Sequence, residues 1–127
     1  MMAATLLRIL VVEDDKALLS ILCDMLAGLG YHAVGVASAE EALIQLDTGS
    51  FNVLLSDINL PGMSGIDLAS RAVAMVHGIR IIFSSGFGYL VTDRLEFSFQ
   101  LLNKPYHLQE LARAIRHSAR QLSGAEQ

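Results

Sequence analysis

Three acids, a serine and a lysine, spread over four segments, are the residues in this chain with chemistry to offer. Glu13 and Asp14 follow the apolar run Ile9–Val12, Asp57 closes Val53-Leu54-Leu55-Ser56, Ser85 follows Ile81-Ile82-Phe83, and Lys104 follows Phe99–Leu102. A carboxylate at the tip of a core strand is costly to bury unless something charged pairs with it. Three acids gathered in one pocket repel one another when bare, and together they suit a hard divalent cation. Mg²⁺ fits this description, since it takes one or two carboxylates and keeps several waters. Lys104 supplies a cation on a flexible stem, able to pair with Asp57 or with a phosphoryl group added to it. Ser85 offers a hydroxyl donor to another phosphoryl oxygen. Phosphoryl transfer requires mainly positioning and charge neutralisation, and this set provides both, with Asp57 as the nucleophile that becomes an aspartyl phosphate.

For these residues to meet, the elements carrying them must end on one edge. Arg8–Val12 reads as a first strand. Lys16–Leu29 carries apolar residues at 18, 21, 22, 25 and 29, a helical period that Gly30 stops. Tyr31–Val36 is a second strand, and Ser38 with Glu41 forms a capping-box pattern opening a helix through Leu46. Val53 starts the third strand. Leu60-Pro61-Gly62 then forces a turn, because proline fixes φ and glycine accepts positive φ. Ser64 caps a third helix reaching about His77, with Ile66, Leu68, Ala69, Ala72, Val73 and Val76 inward. Arg80–Ser84 and Phe99–Leu102 are strands four and five. The last helix spans about Leu108–Leu122 with Leu108, Leu111, Ala112, Ile115 and Leu122 on one side, and Ser123–Gln127 frays. Strands alternating with helices give a parallel α/β sheet covered on both faces. In such a doubly wound five-stranded sheet, sites form beyond the carboxyl ends of the strands, which is where Glu13, Asp14, Asp57, Ser85 and Lys104 all fall.

Composition narrows the class. The 127 residues make one domain with room for a sizeable core, and 53% hydrophobic with 17% charged content is globular. A net charge of −4 argues against nucleic acid as a partner. The single Cys23 excludes an internal disulfide, and no Cys/His spacing resembles a zinc site. No apolar run approaches the roughly 20 residues of a membrane span, and no signal-peptide pattern opens the chain. A cytoplasmic protein acting away from membranes is expected.

Taken together, Glu13-Asp14, Asp57, Pro61-Gly62 with Gly65, Ser85 and Lys104-Pro105 resemble the CheY-like receiver domain of bacterial two-component response regulators. The resemblance covers about residues 7–122, within a single receiver domain taken as 1–127. It implies strand order 2-1-3-4-5 in a flavodoxin-like fold. It also implies phosphorylation of Asp57 by a histidine kinase or histidine phosphotransfer protein. Mg²⁺ would be held by Asp14, Asp57 and the backbone carbonyl of Asn59, with Glu13 acting partly through water. A cis peptide before Pro105 follows from the same resemblance. Two features depart from the family. Receivers carry Tyr or Phe three residues before the lysine, where this chain has Leu101. Ser85 to Lys104 is also short for a full fourth helix plus strand. Phe83-Ser-Ser-Gly-Phe87 is similar to the Phe-Ala-Thr-Gly-Tyr run of a receiver subgroup whose fourth helix is short or mobile, so an irregular segment is expected between Gly86 and Glu96.

Other residues have plainer readings. Ser84, beside Ser85, should face the other side of its strand. Phe99 is core, while Phe87, Tyr89 and Phe97 are either core filling or partner surface. Leu19, Cys23 and Leu26 are either peripheral core or a patch for the phosphodonor's helices. Arg113, Arg116, His117 and Arg120 read as a solvated helix face, and His32, His77 and His107 as surface residues. Cys23 lacks a neighbour that would lower its pKa, so no redox role is expected. Among functions, a signalling module whose phosphorylation alters partner binding ranks first. A degenerate receiver that only binds, or the receiver segment of a hybrid kinase, is the alternative, and the output partner is not specified. A haloacid-dehalogenase-type phosphatase would need Asp at position 59, where Asn stands, so turnover of an external substrate is not expected. A flavin or nucleotide carrier would need a glycine- or hydroxyl-rich loop after strand one, where three acids stand instead.

Overall fold

The computed structural model describes residues 7–86 and 95–125. Nine elements follow in the order β1 (Arg8–Val12), α1 (Lys16–Gly28), β2 (His32–Val36), α2 (Ala39–Thr48), β3 (Val53–Asp57), α3 (Gly65–Met75), β4 (Arg80–Ser85), β5 (Phe99–Asn103) and α4 (Leu108–Ala125). The strands form one parallel sheet ordered β2-β1-β3-β4-β5, the expected order. An irregular or shortened fourth helix between Gly86 and Glu96 is an expectation that falls on residues 87–94, outside the described residues.

Side-chain alternation divides the core in two. Leu10, Leu54, Ile81 and Phe83 face α2 and α3, and pack on Ala42, Leu46, Leu68 and Ala72. Ile9, Val11, Leu55 and Ile82 face α1 and α4, against Leu22, Leu26, Leu111 and Ile115. The strands are apolar on both faces because helices cover both, which is why β1 and β3 read as unbroken apolar runs. The same alternation governs the site. Glu13 follows Val11 by two positions, Asp57 follows Leu55, and Lys104 follows Leu102, so all three continue the α1/α4 side of the sheet at its carboxyl edge.

Caps set the helix starts. Ser38 accepts from the Glu41 N–H at 3.1 Å, the cap expected at this terminus, while the Glu41 carboxylate accepts from the Ser38 hydroxyl at 3.2 Å in place of the backbone N–H of a full capping box. Ser64 accepts from the Asp67 N–H at 3.1 Å. The Lys104–Pro105 bond is cis.

Two helices differ in phase from the sequence expectation. On α1, Ile21 is 54% exposed while Leu26 is fully buried, with Leu19 and Cys23 packed against the core. Leu19, Cys23 and Leu26 are therefore peripheral core or core, and no exposed patch. The helix is apolar around most of its circumference, so periodicity alone does not settle which stripe faces inward. On α4, Leu108 is 45% exposed, and Ser118 takes a core position at 1% exposure. Ser118 is tolerated there because its Oγ accepts from the Gln100 Nε2 of β5 at 3.0 Å. This helix also runs to Ala125, beyond the expected end at Leu122.

Candidate functional site

The carboxyl edge of the sheet brings Glu13, Asp57 and Lys104 into direct contact. Lys104 Nζ donates to Glu13 Oε1 at 2.9 Å and to Asp57 Oδ2 at 3.0 Å. Glu13 is 2% exposed and Asp57 8% exposed. Buried carboxylates are tolerable here because one cation serves both and backbone donors take the remaining oxygens. The Asp15 N–H donates to Glu13 Oε2 at 3.1 Å, and the Asn59 N–H to Asp57 Oδ1 at 3.3 Å. Glu13 is thus a buried, ion-paired residue rather than a solvated one. Burial alone pushes the Lys104 ammonium down, but hydrogen bonds to Glu13 and Asp57 and their charges outweigh it, leaving its pKa above the ordinary lysine value.

Asp14 is exposed at the mouth of the site, and carboxylate oxygens of Glu13, Asp14 and Asp57 lie within 4.8 Å of one another. Lys104 contacts two of these three acids. The arrangement therefore fits a divalent cation on charge and on donor chemistry: three hard oxygen ligands with room for solvent on the Asp14 side.

Backbone features hold the edge in register. The Lys104 N–H donates to the Ser85 carbonyl at 2.7 Å, and the Ile58 N–H to the Ser84 carbonyl at 3.0 Å. Ser84 pairs with Asp57 across the ladder, and Ser85 with Asn103. Both serines are buried; alternation carries Ser84 to the face of Ile82, the side that Asp57 and Lys104 share, contrary to the expectation that Ser84 faces away from the site, and leaves Ser85 at the strand end on the face of Phe83. After Asp57 the chain turns through Gly62 at φ +79°, which glycine adopts without strain. Glu40 of α2 accepts from the Met63 N–H at 3.3 Å, tying this turn to the neighbouring helix. At Gly65 the first turn of α3 passes so close to β3 that an added Cβ would lie 2.0 Å from the Asp57 carbonyl oxygen. A side chain there would displace the backbone that aims Asp57.

Away from the acids, Phe83, Phe97 and Phe99 form a cluster with ring centroids 5.4–6.5 Å apart. Phe97 and Phe99 are thus core filling, while Phe87 and Tyr89 lie outside the described residues. Leu101 is half-buried against the same core. His32, His77, His107 and His117 are exposed. The Cys23 thiol is pushed up by burial and then by Asp24, which removes thiolate character.

Three features of the site are absent from the sequence reading. Asp15 is the N-cap of α1, accepting from the Leu18 N–H at 3.1 Å; its place in an acidic triplet before an apolar period was the available signal. An apolar groove of about 500 Å³ opens beside Lys104, walled by Leu18, Ile21, Leu22, Met25, Pro105 and Tyr106. Of its α1 residues, Leu22 belongs to the core, Leu18 and Met25 pack against it, and Ile21 is left exposed. Tyr106 itself keeps a buried hydroxyl with no hydrogen-bond partner among the described residues.

A profile of the response regulator receiver domain matches residues 9–116. The chain is 33% identical to the response regulator receiver protein CpdR of Brucella abortus (strain 2308) over 111 residues, covering 85% of this chain and 92% of CpdR. It is 32% identical over 124 residues to the response regulator protein FleR of Pseudomonas aeruginosa, covering 94% of this chain but 26% of FleR. Among solved structures, the receiver domain of the hybrid histidine kinase CckA superposes with TM-score 0.77 at 31% identity, covering 87% of this chain and 97% of that one. A CheY-like receiver domain protein from Methanospirillum hungatei JF-1 gives TM-score 0.82 at 28% identity, covering 95% and 99%. Among the described residues, no helix is long and apolar enough to cross a membrane.

Proposed function

The chain belongs to the response regulator receiver family, and we propose that within it the protein accepts a phosphoryl group on Asp57 from a phosphohistidine donor and changes its partner binding as a result. The observation that carries this reading is the junction of Asp57, Glu13 and Lys104, a carboxylate poised at a strand end with a lysine ammonium 3.0 Å away.

Each residue has a separable task. An Asp57 carboxylate oxygen attacks phosphorus; the oxygen–phosphorus bond forms as the bond from phosphorus to the donor imidazole nitrogen breaks. The imidazole keeps that electron pair and takes up a proton. Asn59 N–H, bonded to Oδ1, and Lys104, bonded to Oδ2, orient the nucleophile in the resting state. As charge moves onto the transferred group, the Lys104 ammonium follows it from the carboxylates to a phosphoryl oxygen. Ser85, at the end of the neighbouring strand, supplies a hydroxyl to a second oxygen. Glu13, Asp14 and Asp57, with the Asn59 carbonyl, would hold Mg²⁺, which when bound neutralises charge on the phosphoryl oxygens.

The phosphodonor is a histidine kinase or histidine phosphotransfer protein, and the apolar groove beside Lys104 is where its helix would lie. The aspartyl phosphate forms and hydrolyses on the chain itself, with no turnover of an external ester. Incubation with acetyl phosphate and Mg²⁺ followed by mass spectrometry tests the acceptor. A turnover assay on phosphate esters tests the alternative of a phosphatase, and sustained release of product would favour that instead.

A further inference from the structure

Lys104 reaches Asp57 across a strand that carries neither residue. The sheet order sets β4 between β3, which ends on Asp57, and β5, which Lys104 follows. Adjacent strands lie about 4.8 Å apart, so β3 and β5 stand roughly 10 Å from each other. The lysine stem bridges that gap over the face of β4, bringing Nζ to 3.0 Å from Asp57 Oδ2 and 2.9 Å from Glu13 Oε1. What β4 presents on that face therefore decides whether the stem can pass.

Register and alternation identify the side chain concerned. Ser84 stands directly opposite Asp57 on one side and opposite Leu102 on the other. Ile82, two positions back, packs with Leu102 in the α1/α4 half of the core, so Ser84 presents its side chain on the face where Lys104 meets Asp57. It is 3% exposed. The pairing of Ser85 with Asn103 sets Lys104 level with Gly86, so the stem runs diagonally from that level down to the level of Asp57 and Ser84. Gly86 has no side chain, and a Cβ added there would meet no atom within 4 Å, so the stem does not lie against it. Among the described residues, Ser84 is the β4 side chain that the crossing has to clear.

We propose that Ser84 is a positioning residue for Lys104, its small side chain keeping open the path over β4 by which the lysine reaches the phosphoacceptor. The property that matters is room rather than the hydroxyl. Branched bulk at this position lifts the stem off the sheet and draws Nζ away from Asp57, whose carboxylate then loses its counter-charge and its orientation. This inference rests on the phosphoacceptor reading above.

The test compares Ser84→Ala, Ser84→Thr and Ser84→Val with wild type, using acetyl phosphate and Mg²⁺. Thr and Val add the same β-branched bulk, one with a hydroxyl and one without. Ser84→Ala should match the wild-type rate of adduct formation. Thr and Val should both be slowed about tenfold to a hundredfold, as displacement of a positioned group by about 1 Å implies. Should Val be too unstable to assay, Thr carries the comparison. Each substitution is repeated in Lys104→Ala, which removes the stem. There the added bulk should change neither the residual rate nor the urea midpoint, a coupling that simple overpacking would not show. Slowing in Ala and Val with Thr at the wild-type rate would assign the role to the hydroxyl and overturn the proposal. Thr or Val at the wild-type rate, or effects that merely add to those of Lys104→Ala, would overturn it too. If wild type gains no phosphoryl group, the acceptor reading fails, while the urea comparison still shows whether Ser84 and Lys104 are coupled.

Discussion

Replacing Lys104 by Met keeps the length of the side chain and removes the ammonium that joins Glu13 to Asp57. Two contacts are lost, at 2.9 and 3.0 Å. Unit charges about 4 Å apart at an effective dielectric of about 20 interact by about 4 kcal/mol, but the cost of desolvating the ammonium offsets part of this. One-sided removal of a buried ion pair costs about 3–5 kcal/mol, because the remaining charge is left buried without a partner. The Lys104 side chain keeps 23% of its exposure, so solvent screens the pair and the lower end applies. We therefore expect Lys104→Met to lose about 3 kcal/mol in the presence of a chelator. With a urea m-value of about 2 kcal/mol/M, the midpoint falls by about 1.5 M. Mg²⁺ should recover at least half of the loss and should stabilise the variant more than wild type, since in the variant it is the sole counter-charge to the buried acids. The pH dependence has a fixed sign. Because the folded-state pKa of Lys104 is raised, its contribution is fully present below the ordinary lysine value of 10.5 and is lost as pH rises through the higher folded value. The gap between wild type and variant should thus be constant from neutral pH to about 10 and narrow above it. Urea titrations with chelator and with Mg²⁺ measure all of this. A loss below about 1 kcal/mol, or stabilisation by Mg²⁺ that is larger in wild type, would refute the picture of Lys104 as the counter-ion of two buried acids.

Two further substitutions probe the supports of the site. Gly65→Ala forces a Cβ to within 2.0 Å of the Asp57 carbonyl, so the backbone must move; we expect a loss of about 1–3 kcal/mol and phosphorylation by acetyl phosphate slowed about tenfold to a hundredfold, measured by denaturation and by rate of adduct formation. Asp15→Ala removes the cap of α1 and should cost about 1 kcal/mol in chemical denaturation, whereas Asp15→Asn, an equally good cap, should cost at most a few tenths.

Much of the fold is legible in the sequence because local signals and the global arrangement agree. The apolar runs of β1, β3 and β4, the caps at Ser38 and Ser64 and the turn at Pro61-Gly62 each specify their element independently. The acids and Lys104 are legible for a further reason: a charge at the end of an apolar strand is expensive unless paired, so its position alone announces a site. The phase of α1 is not legible, since apolar residues at 18, 19, 21, 22, 23, 25 and 26 cover most of the helix. Only packing against Leu55 and Ile82 decides that Leu22 and Leu26 go inward and Ile21 outward. The groove follows from that choice and is hidden with it. Ser118 in the core of α4 is likewise unreadable, because its partner Gln100 lies 18 positions away on another element. The roles of Glu40 and Gly65 are tertiary too: one reaches 23 residues to a backbone amide, and the other is set by how closely a helix passes a strand.

The central claim is that Asp57 is the phosphoacceptor, and intact-mass spectrometry with acid-stable trapping of the labelled peptide tests it most directly. Wild-type protein incubated with acetyl phosphate and Mg²⁺ should gain one phosphoryl group, located on the peptide containing Asp57. The gain should vanish with chelator and in Asp57→Asn. Absence of an adduct in the wild type, or an adduct that persists unchanged in Asp57→Asn, would contradict the account.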